Sequence, residues 1–150
     1  MDAVTYPNDK LAGFINEAVV PLRIDSHEQP YAHEFKVKWT PLLFILDAQG
    51  SSHHHGMGFF PPQELLPFIE LGQAKFLFHT KELEEAARKL DRLLEASPWC
   101  GSAPEAVYLR GVSRFKATED ASHLREVHRI LKYSYGNTMW AERGLPYWNL

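Results

Sequence analysis

The sequence is poor in the residues that carry most covalent chemistry. Among 150 residues there is one cysteine, Cys100. No intramolecular disulfide, no Cys-x-x-Cys pair and no cysteine-rich zinc site can therefore be built. This scarcity of thiols fits a reducing cytoplasm, and a cytoplasmic location is expected. Positive charge is also in deficit, with 16 Lys and Arg against 19 Asp and Glu and a formal net charge of -3. There is accordingly no electrostatic case for nucleic acid or an anionic membrane as partner. No apolar run approaches the roughly 18 residues that a membrane span needs, and the N-terminus lacks the basic and apolar regions of a signal peptide. Phosphate loops, nucleophile elbows, paired catalytic carboxylates and zinc-finger spacings are absent, and no cofactor is expected.

What is present is an ordinary globular composition, 45% apolar and 23% charged, in two regions of different periodicity. Residues 1 to about 60 mix short helical and strand patterns. Asn8 or Asp9 can cap a helix to about Asn16 with Leu11, Phe14 and Ile15 on one face. Val19 to Ile24 reads as a strand, with Pro21 marking an edge, a bulge or a strand start. A short helix is expected from about His27 to Phe35. Leu42 to Leu46 is continuously apolar, the pattern of a strand buried on both faces. The Ala48-Gln49-Gly50 turn and a strand from about Ser52 to Met57 complete a hairpin. This alternation predicts an α/β fold with a central sheet.

From Pro61 and Pro62, which suit a helix start, the pattern is helical almost to the end. Pro67 predicts a kink or a restart. Leu83, Ala86, Ala87, Leu90, Leu93 and Leu94 form an amphipathic stripe. Ser102-Ala103-Pro104-Glu105 has the form of a capping box, opening a helix that turns Val107, Gly111, Val112 and Phe115 to a neighbour. Asp120 or Thr118 starts the next helix, which carries Leu124, Val127, Ile130 and Leu131 and stops at Gly136-Asn137. Arg92-Leu93-Leu94, Ser97 and Glu105 recur as Arg129-Ile130-Leu131, Ser134 and Glu142 at an offset of 37. Gly72, Lys75 and Phe76 recur as Gly111, Arg114 and Phe115 at an offset of 39. Such a period, built of helix pairs, resembles tetratricopeptide-like hairpins, whose repeat is about 34 residues.

Trp39-Thr40-Pro41 carries the most specific signal. It opens the apolar strand Leu42 to Leu46, which ends in Asp47-Ala48-Gln49-Gly50 and is followed by Gly58-Phe59. In this context the Thr40-Pro41 bond reads as cis, which proline permits and other residues resist by about 2.5–4 kcal/mol. With Met1 to Asn8, Phe14-Ile15-Asn16, Val20-Pro21 and Ile24-Asp25, the chain resembles thioredoxin-like proteins downstream of their redox cysteines. The resemblance covers about residues 1 to 70. It implies a partial thioredoxin-like domain over residues 1–66 and a tetratricopeptide-like helical extension over residues 67–150. It further implies that Trp39, Thr40 and Pro41 face an extended protein or peptide partner, which pairs like an added strand. The parent activity would be thiol–disulfide exchange, but the Cys-x-x-Cys motif, its helix start and the central strand before it are missing. Catalytic residues are thus expected to be absent, and Met1 reads as an internal methionine of a longer protein, with a natural truncation as the alternative.

Other candidates carry less. Cys100 has no adjacent base and reads as a packing or indifferent residue in a helix link. His53 and His55 would share a strand face and begin a metal site with His27 or His33, but exposed strand-end histidines are the simpler reading, so no metal is expected. Glu84-Arg88 and Glu85-Lys89 form a solvated helix face. Tyr133, Tyr135, Trp140, Tyr147 and Trp148 read as packing the last helix, with a peptide groove as the alternative. The rival to a redox-related protein is a non-enzymatic interaction module that uses its helical repeats. In the resembled fold the missing strand lies between the counterparts of residues 19–25 and 42–46, so exposed edges are expected to pair between chains. The protein expressed alone should therefore form homo-oligomers or aggregate; a monodisperse monomer in light scattering would count against this.

Overall fold

Asn8 begins the first helix, because its side chain accepts a hydrogen bond from the Leu11 N–H at 3.0 Å and so satisfies a first-turn donor. Helix α1 spans Asp9–Ala18 and buries Leu11. The computed structural model describes residues 1–150. They divide into two units, Met1–Leu66 and Pro67–Leu150. In order, α1 is followed by α2 (Tyr31–Glu34), β1 (Leu42–Leu46), β2 (Ser52–Met57), α3 (Pro62–His79), α4 (Leu83–Ala96), α5 (Ala103–Thr118), α6 (Ser122–Ser134), α7 (Met139–Gly144) and a 3-10 turn over Leu145–Asn149. The architecture is α/β: a small antiparallel two-stranded sheet followed by several long helices. No helix is long and apolar enough to cross a membrane.

The hairpin forms where the turn residues allow it. Asp47 N–H donates to Ser51 O at 3.0 Å, and Gly50 supplies the positive φ of 83° that the turn requires. Leu42 pairs with Met57, Leu43 with Gly56, Phe44 with His55 and Ile45 with His54, before a register shift pairs Leu46 with Ser52. His53 is the extra residue at that shift, a β-bulge. The strand β1 is half-buried rather than enclosed on both faces, and Leu46 is exposed. Residues 19–25 correct the sequence reading further, since they form no strand. Pro21 lacks a donor and no partner strand is present, so an apolar pattern has nothing to pair with. Val20 and Leu22 consequently stand 91% and 80% exposed. The helix expected from His27 is a single turn starting at Tyr31. Gln29-Pro30 is a second cis bond beside Thr40-Pro41, and a proline restricts the residue before it from helical geometry. Within residues 1–66 the buried side chains are Thr5, Leu11 and Leu65. Thr5 Oγ1 donates to Phe60 O at 2.7 Å, tying the first turn to the segment after β2.

Helix α3 continues through Pro67, so the helix does not restart there. The lost bond would have gone to Gln63 O, next to the first turn, where few ladder bonds are at stake. In the second unit Leu71, Ala74, Leu90, Leu93, Cys100, Ala103 and Ala106 form one core, and Val107, Val127, Leu131 and Ala141 form another. The α4 stripe supplies Ala86, Ala87, Leu90 and Leu93 to the interior. Ser102 makes no side-chain cap bond, correcting the capping-box reading. Its backbone is already helical, and Glu105 is instead held in an ion pair with Lys75. Asp91 joins α4 to α5 by accepting from Arg110 at 3.2 Å and from Arg114 at 2.7 Å. The repeat at offset 37 does not carry over to burial: Leu93 and Leu131 are buried while Leu94 and Ile130 are half-buried. Of the C-terminal aromatics, Trp140 and Tyr147 pack on Tyr108, whose phenol lies 2.7 Å from that of Tyr147. Burial, and then the bond to Tyr108, push the Tyr147 phenol well above its ordinary pKa. Tyr133 and Trp148 instead stand 77% and 69% exposed.

Helices α5 and α6 meet at Gly111. A Cβ built there would lie 2.0 Å from Val127 Cγ2 and 3.0 Å from His123 O. Alanine gains about 1 kcal/mol in helix propensity over glycine, but overpacking here involves a main-chain oxygen and costs about 1–3 kcal/mol. Gly111→Ala should lower the urea midpoint, and Val127→Ala in the same chain should recover part of the loss. A midpoint at or above that of the parent would contradict this packing.

Candidate functional site

The site is built on β1 and the turn before it. The cis Thr40-Pro41 bond brings the chain into the strand, and Gly58 N–H donates to Pro41 O at 2.9 Å. Pro41 and Gly58 thus close the ladder beyond the Leu42–Met57 pair. Because antiparallel pairs alternate, Leu43 and Ile45 direct their backbone groups to β2, and Leu42 and Phe44 direct theirs outward. The sheet has two strands only, so the outer edge of β1 has no strand beside it. An edge of this kind is a template for a further strand.

One face of the same strand lines an open cleft of about 560 Å³. Its walls are Phe35, Lys36, Lys38, Trp39, Leu42, Phe44, His55, Gly56 and Met57. The Phe35 and Phe44 rings are 4.7 Å apart, and His55 lies 5.8 Å from Phe44 across the strand pair. These contacts follow from register, since Phe44 and His55 are direct cross-strand neighbours. Lys36 has a positive φ of 49° at the end of the α2 turn. Of the three residues singled out from sequence, Trp39 lines the cleft and is 67% exposed. Thr40 and Pro41 are exposed but are not among its walls. Phe35, the lysines and Met57 were missed. Only the fold brings them together, although the Phe35-Lys36-Val37-Lys38-Trp39 alternation hints at one amphipathic turn.

The remaining candidates do not assemble into a reactive centre. Cys100 is buried in the helical core with Leu71, Leu90 and Leu93. His27 bonds to Asp25 on the surface, and His53 Nε2 lies 2.9 Å from Asp47 Oδ2. No three His, Cys, Asp or Glu side chains converge as metal ligands. At the bulge His53 meets Asp47, while His55 packs on Phe44. No protein-family model, no curated protein and no solved structure matches the chain.

Asp47 is the anchor of the hairpin turn. It accepts from Gln49 N–H and Ser51 N–H at 2.9 Å each, besides its contact with His53. The His53 bond first, then the Ser51 amide, hold its carboxyl below the usual carboxylate range. A depressed folded pKa means the unfolded chain binds the proton more readily. The stabilisation is therefore complete above the unfolded value of about 3.9 and is lost as pH falls through the lower folded value. A carbon-13 titration of the Asp47 carboxyl should give a midpoint below about 3.9, raised by His53→Ala. An ordinary midpoint in the parent would show that these bonds do not hold the turn.

Proposed function

We propose that this chain is a thioredoxin-like peptide-binding protein with no thiol–disulfide exchange of its own. The observation that carries the proposal is the outer edge of β1, free of any neighbouring strand and starting directly after Trp39-Thr40-Pro41. An extended partner laid along it would bond to the outward backbone groups of Leu42 and Phe44, with Trp39 flanking it, in the manner of strand addition. Thr40 and Pro41 shape the turn that begins this edge. The same unpaired edge also offers a route to homo-oligomers.

Exchange chemistry needs a thiolate to attack a disulfide and, in a two-cysteine enzyme, a second thiol to resolve the mixed disulfide. The only cysteine, Cys100, is 7% exposed in the helical unit, so it is inert to a bulky disulfide. The helical unit resembles tetratricopeptide-like hairpins, and we assign it a role as scaffold or second protein-binding surface. A non-enzymatic interaction module using this unit alone is the second reading, favoured by the exposed Trp99, Tyr133 and Trp148 rings. In an insulin-reduction assay the chain should show no turnover above the dithiothreitol background. Turnover above that background, lost in Cys100→Ser, would overturn the proposal.

A further inference from the structure

The cleft beside β1 has a charge that its apolar walls do not require. Its aromatic floor of Phe35 and Phe44, with Leu42 beneath and Trp39 and Met57 at 67% and 63% exposure, suits apolar side chains. Lys36 and Lys38 are exposed on its rim, and no carboxylate is among the walls. The cationic rim stands out against a chain whose formal net charge is -3. It is local, created by two lysines two residues apart, Lys36 at the end of the α2 turn with a positive φ and Lys38 just after it.

We propose that the cleft selects an extended peptide that presents an apolar and an acidic side chain on the same face, two residues apart. The proposal rests on the reading of β1 as a strand-docking edge and adds the class of partner. In an added strand, side chains two residues apart share a face, so an apolar residue can meet the Phe35–Phe44 floor while the next residue on that face reaches the rim. An acidic residue there meets Lys36 and Lys38. A basic residue there meets like charge, which supplies discrimination by repulsion as well as attraction. A second copy of this chain fits less well, because face-to-face pairing of the two clefts would set four lysines against one another.

The test uses the full chain and three labelled octapeptides, Val-Ser-Xaa-Ser-Val-Ser-Xaa-Ser with Xaa as Glu, Gln or Lys, followed by fluorescence anisotropy. Exposed charge pairs are worth little each, so the Glu peptide should bind about fivefold tighter than the Gln peptide, and the Lys peptide weakest. Raising the salt concentration should compress these differences. The double substitution Lys36→Glu and Lys38→Glu should reverse the order, and Trp39→Ala should weaken all three peptides. These side chains are exposed, and circular dichroism of each variant checks that the fold is retained. Equal binding of the three peptides, unmoved by the lysine changes, would overturn the acidic selectivity and leave the docking edge standing. Binding of none of them would overturn both, whereas an anisotropy change that tracks self-association of the chain instead of peptide would overturn the acidic selectivity.

Discussion

Each strand of a two-stranded hairpin satisfies half of its backbone groups internally, and the other half must find a partner or water. In this chain that rule governs the whole first unit. The outward groups of Leu42 and Phe44 lie at an edge without a neighbouring strand, residues 19–25 are left without secondary structure, and only Thr5, Leu11 and Leu65 are buried among residues 1–66. Two strands rarely support themselves in water. What keeps this hairpin in register is therefore local: the Asp47-centred turn, the bulge at His53 and the Phe35–Phe44–His55 row.

The second unit is held by a different principle. Its helices bury two clusters made mostly of alanine, leucine and valine side chains, and burial of a full Leu or Val side chain contributes about 1.5–3 kcal/mol. The Asp91 pairs with Arg110 and Arg114 add direction more than strength, because partly exposed ion pairs contribute little net stability. Small residues set the spacing, with Gly111 against Val127 the tightest instance. One unit is thus specified by hydrogen bonds and turn chemistry, the other by packed volume.

That contrast decides what was legible in the sequence. The cap at Asn8, the β1–β2 hairpin and the α4 stripe were readable because each depends on neighbours within a few residues. Val19 to Ile24 has a strand's pattern but forms none, since pairing needs a second strand that periodicity cannot supply. Pro67 does not restart the helix, because the effect of a proline depends on how close it lies to the helix start. Ser102 and Glu105 had capping spacing, but Lys75, thirty residues away from Glu105 in sequence, holds the carboxylate. At the site, Trp39 was visible and its companions were not. Met57 and His55 join it through the hairpin register, and Lys36 through a left-handed turn that no residue type announces.

The contact between the Tyr108 and Tyr147 phenols has a consequence under alkaline conditions. The Tyr147 ring keeps its proton more tightly when docked than when loose, so docking and deprotonation exclude each other. Below about pH 10 both the docked and the free ring are neutral and the contact contributes fully; above that, the free ring ionises first and the equilibrium shifts toward release. The segment that carries Tyr147 is in effect fastened by a proton. Because Tyr108 and Tyr147 pack against the core of Val107, Val127, Leu131 and Ala141, base that removes the fastener also uncovers one side of that core.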